Sequence, residues 1–214
     1  MISITKNIRK AEQALRARGK QDFFGNHVGL ELYQTQLGLV GLARIGGHVA
    51  GIALAFGMTV VAYDPYVSAE QADSLGVALT PSLSDLLAAS DVVSLHLPLN
   101  DEPRHLINAE RIAQMKSGAI LINTSRGGLV KEAALLEALE TGHLFGAGLD
   151  LTDPEPAPPD NPSLHRNDVI VTPHVASATQ AGKDRLYEIA ITQVLPYLRG
   201  ERPANLVNPE VWKD

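Results

Sequence analysis

From residue 36 onward the chain alternates short apolar runs with stretches whose apolar residues recur every three or four positions. The runs read as strands at 36–41, 59–63, 91–95, 119–123, 145–149 and 168–172. Between them the helical period predicts helices near 45–56, 68–75, 82–89, 108–115 and 131–141. Near-continuous apolar strands separated by helices imply a mainly parallel sheet covered by helices on both faces, an α/β architecture. Ahead of this alternation Ile4, Ile8, Ala11, Ala14 and Leu15 share one face, which predicts a single amphipathic helix over 3–18 that stops near Gly19, followed by a polar loop through Gly25 and Gly29. Ser82 with Asp85 makes a capping-box pattern. The stretch 153–162, DPEPAPPDNP, predicts a rigid loop, because proline neither continues a helix nor donates to a central strand. A last helix is expected over 179–199, ending at Gly200, with 201–214 as an extended tail that carries Trp212.

Composition narrows the choice of function. With 214 residues and 45% hydrophobic content the chain has room for a sizeable core. A net charge of -6 with no basic cluster argues against a nucleic-acid surface. There is no cysteine, which removes disulfides, thiolate zinc sites and cysteine nucleophiles, and no metal-ligand set stands out. The charged N-terminal segment lacks the apolar core of a signal peptide, and no apolar run approaches the ~18 residues of a membrane span. A cytoplasmic protein without a membrane partner is the expectation.

Residues 41–46, Gly-Leu-Ala-Arg-Ile-Gly, follow the first strand and open a helix. A dinucleotide loop needs a glycine at the first turn, one where backbone meets pyrophosphate and one where helix packs on strand. Gly41 and Gly46 supply the first and third; Ala43 stands at the middle position and adds a methyl group, while the helix start at Arg44 and Ile45 offers free N–H groups and a positive dipole end. By itself such a pattern is also an ordinary tight turn. Asp64, at the end of the second strand and 18 residues after Gly46, changes the weighting, because a carboxylate there accepts from both ribose hydroxyls and repels a 2′-phosphate. The sequence thus reads as a doubly wound Rossmann domain for NAD.

Three more strand ends carry unusual residues: Asn123-Thr124-Ser125-Arg126-Gly127-Gly128, then Asp150 with Glu155 in the proline loop, then Thr172-Pro173-His174. In an open α/β sheet the carboxyl ends of the strands face the ligand crevice. With these segments in view, the sequence resembles the D-isomer-specific 2-hydroxyacid dehydrogenases. The matching stretches are LGLVGLARIG, VVAYDPY, SLHLPL, LINTSRGGLV, LDLTDPEP and VTPHVASAT, in the family's order.

The resemblance implies roles by position. Arg126 matches the arginine that binds the substrate carboxylate and polarises its keto oxygen, for which a planar fork is suited. His174 matches the general acid/base and also borders the cofactor. Glu155 matches the acid that orients the histidine and favours its protonated form. Asp150 matches the acceptor of the nicotinamide carboxamide. His96 and Pro98, in SLHLPL, match the lining of the adenine or ribose pocket, with Thr124 and Ser125 on the cofactor side. His27, His48, His105, His143 and His165 receive no role. The resemblance also implies a linker helix and dimer arm over 1–34, the NAD-binding domain over 35–185 and a C-terminal helix and tail over 186–214, with a small 2-hydroxy or 2-oxo acid as substrate and a homodimer through the NAD-binding domain that uses the arm of residues 3–33.

The chain departs from the family at several points. The flavodoxin-like substrate-binding half that precedes the cofactor half in the family is not among these residues, so low turnover by this chain alone is expected. Lys131 stands where an acid usually opens a helix, and Thr152 replaces a usual aromatic. The leading expectation is an NAD-dependent D-2-hydroxyacid dehydrogenase or reductase, present as its cofactor portion. The alternative is a non-catalytic NAD(H)-binding or sensing protein of the same fold. A different Rossmann protein, such as a methyltransferase, does not account for the Arg–Glu–His order.

Overall fold

A computed structural model of the chain describes residues 1–17, 25, 27–98 and 104–212. The helix stop expected near Gly19, and residues 20–24 and 26 of the polar loop expected after it, lie outside the described residues. The chain divides into two compact units, Met1–His174 and Val175–Asp214.

The larger unit is a seven-stranded, wholly parallel sheet. Its strands are β1 (Gln36–Val40), β2 (Thr59–Tyr63), β3 (Ala78–Leu79), β4 (Val92–Leu95), β5 (Ala119–Asn123), β6 (Leu144–Leu149) and β7 (Val169–Val171), in the order β3-β2-β1-β4-β5-β6-β7. The helices are α1 (Ile2–Thr5), α2 (Ile8–Arg16), α3 (Arg44–Ala55), α4 (Ala69–Ser74), α5 (Leu83–Ala89), α6 (Ala109–Ala113), α7 (Glu132–Glu140) and α8 (Pro162–His165). Side chains alternate across the strands and so feed two cores. Leu37 and Leu39 join Ala50, Ala53 and Ala72 on one face; Val40, Val93, Leu95 and Leu121 join Leu86, Leu87, Leu129 and Leu135 on the other. The doubly wound α/β reading holds, with the sheet entirely rather than mainly parallel. The order reverses direction between β1 and β4, which is where such sheets leave a ligand crevice.

Four expectations for the larger unit need correction. The single helix over 3–18 is two, α1 and α2, because Asn7 takes the left-handed conformation at φ 50° and its side chain bonds the Val28 carbonyl at 2.8 Å. The sheet gains β3, paired with Val61 and Ala62 of β2. The proline loop runs into a helical turn at its end, α8, where Pro162 sits in the first turn and Asn161 caps Ser163. The Ser82 hydroxyl accepts from Asp85 N–H as a cap should, yet donates to the Asp85 carboxylate instead of leaving that carboxylate to take the Ser82 amide. A complete capping box occurs at Ser68 and Gln71, ahead of α4.

In the smaller unit α9 (Gln180–Leu198) is capped by Thr179, whose hydroxyl accepts from Gly182 N–H at 2.9 Å. Its tail is not wholly extended: Pro209–Val211 form a 3-10 turn, and Trp212 meets the Tyr197 ring edge-on at 6.2 Å between centroids. Among the described residues no helix is long and apolar enough to cross a membrane, and no group of His, Asp or Glu is arranged to hold a metal.

Candidate active site

At the β1–β4 switch point the chain turns sharply. Gly41 has φ +98°, and a Cβ there would lie 2.7 Å from the carbonyl oxygen of His96. A Cβ on Gly46 would lie 2.3 Å from the Gly41 oxygen, so α3 packs on the loop with no room for a side chain. Ala43 needs no such allowance: it is the exposed N-cap of α3, in extended backbone at φ -72°, ψ -160°. The first amides of α3, from the exposed Arg44 and Ile45, have no acceptor within their own helix. Asp64, half-buried, accepts from Leu42 N–H at 2.8 Å and Tyr66 N–H at 3.0 Å. A bare helix start with a carboxylate fixed beside it fits the diphosphate and ribose of a dinucleotide.

His96 follows β4. Its N–H donates to Val40 at 2.8 Å, and its imidazole Nε2 lies 3.0 Å from Ser94 Oγ. Burial pushes the imidazole down from 6.5 to about 4, so it is neutral near pH 7. Pro98 is exposed at the rim.

The other half of the site is built on β5, β6 and β7. Asn123, buried at the end of β5, shapes the turn that follows: its amide donates to Arg126 O at 2.8 Å and its oxygen accepts from Ser125 N–H at 3.0 Å. Ser125 Oγ donates to Leu95 O at 2.7 Å, which joins this turn to β4; Thr124 is exposed beside it. Arg126 is exposed, with its guanidinium donating to Ser125 O at 2.6 Å. Asp150, only 4% exposed, accepts from Thr172 Oγ1 at 2.6 Å, while its carbonyl accepts from His174 N–H at 2.7 Å. His174 is held at φ 55°, and its Nδ1 lies 2.7 Å from Glu155 Oε1.

Asp150, Thr152, Glu155, Leu164, Val171 and His174 are among the residues lining a cavity of about 670 Å³. The structure therefore brings Asp150, Glu155 and His174 together. Arg126 is not part of that lining. Lys131 is the N-cap of α7, where Glu132 follows it and binds Ser163 Oγ at 2.5 Å and Asn161 Nδ2 at 3.1 Å. Thr152 Oγ1 bonds Pro154 O at 2.8 Å. Sequence reasoning gave no part to Asn123 or Thr172 as individual residues. An amide at the last position of a strand, or a hydroxyl just past it, is the signal, since such groups bond the turns and side chains beyond.

Comparison with known proteins agrees with this geometry. Residues 1–176 match the family model described as D-isomer specific 2-hydroxyacid dehydrogenase, NAD binding domain. The chain is similar to D-3-phosphoglycerate dehydrogenase of Methanocaldococcus jannaschii, 42% identical over 208 residues that make up 97% of this chain and 39% of the relative. It is similar to glyoxylate reductase of Korarchaeum cryptofilum, 45% identical over 186 residues, 87% of this chain and 56% of the relative. The solved structure of the TT0316 protein from Thermus thermophilus superposes with a TM-score of 0.88 at 43% identity, covering 96% of this chain and 64% of that one. The chain thus spans 39% and 56% of the two curated relatives' lengths. It belongs to the D-isomer-specific 2-hydroxyacid dehydrogenase family, of which it carries the NAD-binding domain.

Proposed function

We propose that this chain is the cofactor portion of an NAD-dependent oxidoreductase that interconverts a D-2-hydroxy acid and its 2-oxo acid. The observation that carries the reading is the Glu155–His174 pair, 2.7 Å apart, on the wall of a cavity that also presents Asp150. Gly41, Ala43, Arg44, Ile45 and Gly46 hold the diphosphate at the start of α3, and Asp64 takes the ribose hydroxyls. His96, Pro98, Thr124 and Ser125 line the cofactor's path, and Asp150 receives the carboxamide. Nicotinamide, when bound, supplies the hydride.

The remaining chemistry belongs to side chains. With Nδ1 facing Glu155, the other nitrogen of His174 is left to give a proton to the carbonyl oxygen of the 2-oxo acid and to take it back in oxidation. Glu155 holds the ring in the tautomer and orientation this needs. Arg126 engages the substrate carboxylate through two parallel N–H donors, for which it must swing from the Ser125 carbonyl. His174 and Glu155 are about half exposed, at 51% and 45%, so water reaches them and turnover by residues 1–214 alone is slow.

The same reading includes a homodimer through this domain and a cytoplasmic location. Support for the dimer comes from exposed apolar side chains on the arm before β1, among them Ile8 at 50%, Leu15 at 64% and Val28 at 59%. Light scattering at micromolar concentration that returns a monomer overturns it.

Calorimetric titration with NADH and NADPH, followed by absorbance assays with glyoxylate and hydroxypyruvate at high protein concentration, tests the main reading. The expected result is tighter binding of NADH and a slow oxidation that His174→Asn lowers by about a hundredfold or more, with the parent kcat below about 0.1 s⁻¹ against a median near 10 s⁻¹ for enzymes. Binding of NADH with no acid-dependent oxidation favours the sensing alternative.

A further inference from the structure

Three backbone segments meet beside the Glu155–His174 pair. The first is the turn after β5. A Cβ built on Gly127 would lie 2.0 Å from the carbonyl oxygen of Thr152, 2.2 Å from its carbon and 2.8 Å from Asp153 N. These neighbours are backbone and have no rotamer by which to give way. The Thr152–Asp153 peptide therefore rests directly on Gly127, one residue after Arg126. The second segment is 104–105, where His105 N–H donates to Gly128 O at 2.7 Å and the Arg104 guanidinium lies 2.7 Å from the Asp153 carboxylate. The third is the loop after β6, drawn in on itself by the Thr152 hydroxyl, which donates to Pro154 O at 2.8 Å.

We propose that Gly127 is a positioning residue: its missing side chain seats the Thr152–Asp153 peptide on the Arg126 turn, Arg104 pins Asp153 from outside, and Glu155 is thereby held on His174. The proposal rests on the reading of Glu155 and His174 as a working pair. Glu155 lies two residues beyond the seat, a span of at most ~7 Å of chain, so a displacement at Thr152–Asp153 has little length over which to be absorbed. A hydrogen bond of 2.7 Å is lost with a shift of about 1 Å. The Arg104–Asp153 pair is exposed, at 55% and 37%, and such pairs add little to stability. Its contribution here is to register the loop, which a stability measurement does not detect.

The test is a long-range proton–nitrogen spectrum of the 214-residue chain labelled at histidine, which reports the hydrogen bonding and tautomer of each imidazole, with NADH affinity measured beside it. Gly127→Ala is expected to move the His174 ring resonances to the positions seen in Glu155→Ala. Arg104→Glu moves them in the same direction, Arg104→Lys leaves them in place, and Arg104→Glu combined with Asp153→Arg returns them. A folded Gly127→Ala protein with unchanged His174 resonances overturns the proposal. Where Gly127→Ala does not fold, the Arg104 series decides, and the absence of a shift in Arg104→Glu or of recovery in the exchanged pair overturns it. The spectrum is read without substrate or NADH, so a parent protein that neither binds NADH nor oxidises it refutes the function proposed above and leaves this measurement intact.

Discussion

The carboxylate of Asp64 accepts the backbone N–H of Leu42 at 2.8 Å, tying the end of β2 to the loop that leaves β1. Its other oxygen accepts from Tyr66 N–H at 3.0 Å. An ionised carboxylate offers about four lone-pair directions, so these two bonds leave one on each oxygen for a pair of ribose hydroxyls. Asp64→Ala is expected to weaken NADH by about tenfold or more, in line with loss of charged hydrogen bonds, and to bring the NADPH to NADH affinity ratio toward one. Calorimetry with both nucleotides checks this, and an unchanged ratio refutes the role given to Asp64.

The two glycines of the loop and the alanine between them predict opposite sensitivities. Gly46→Ala forces a methyl group onto the Gly41 carbonyl, 2.3 Å away, and is expected to cost about 1–3 kcal/mol by overpacking. Ala43→Gly touches an exposed residue in ordinary extended backbone, and a change in NADH affinity of less than about threefold, under 1 kcal/mol, is expected. Urea unfolding and NADH titration of both variants separate the two cases. A stable Gly46→Ala protein that binds NADH normally contradicts the packing argument.

His96 makes the domain sensitive to acid. Its ring is neutral in the fold, pushed to about 4, whereas in the unfolded chain it takes a proton near 6.5. The unfolded state then binds more protons between these values, so stability is full above 6.5 and falls as pH drops toward 4. The shift corresponds to on the order of 3 kcal/mol over that window. His96→Gln is expected to flatten this part of the stability profile in denaturant titrations at pH 4.5 to 7 relative to the parent. Parallel profiles refute it.

Much of the sheet is legible in the sequence because its strands are buried on both faces, and a run such as AILIN has one reading. Six strands fall within one residue of their expected ends. Ala78–Leu79 escapes notice because a two-residue edge strand has no period. The break at Asn7 is hidden for another reason: Ile4 and Ile8 keep helical spacing across it, and the left-handed turn is held by a bond to Val28, 21 residues away. At the site, the residue types and their strand-end positions were readable. The contact of Gly127 with Thr152 was not, since it depends on how two turns from adjacent strands meet, and a glycine beside an arginine looks the same whether or not a peptide lies on it.

Glu155 offers the sharpest test of the proposed chemistry. Its Oε1 lies 2.7 Å from His174 Nδ1, an arrangement in which the ring donates from Nδ1 and keeps Nε2 for the substrate. Glu155→Gln keeps the size of the side chain but lets an amide N–H face Nδ1, which favours the opposite tautomer. If the loop at Gly41–Gly46 and Asp64 carry cofactor binding as proposed, NADH affinity should stay within about twofold, while acid-dependent NADH oxidation should fall by about a hundredfold, the scale of a misplaced general acid. Because the two residues act as one unit, Glu155→Gln combined with His174→Asn should be no slower than His174→Asn alone. Additive losses in that double variant would mean that Glu155 acts on the substrate independently of His174, and the orienting role would have to be given up.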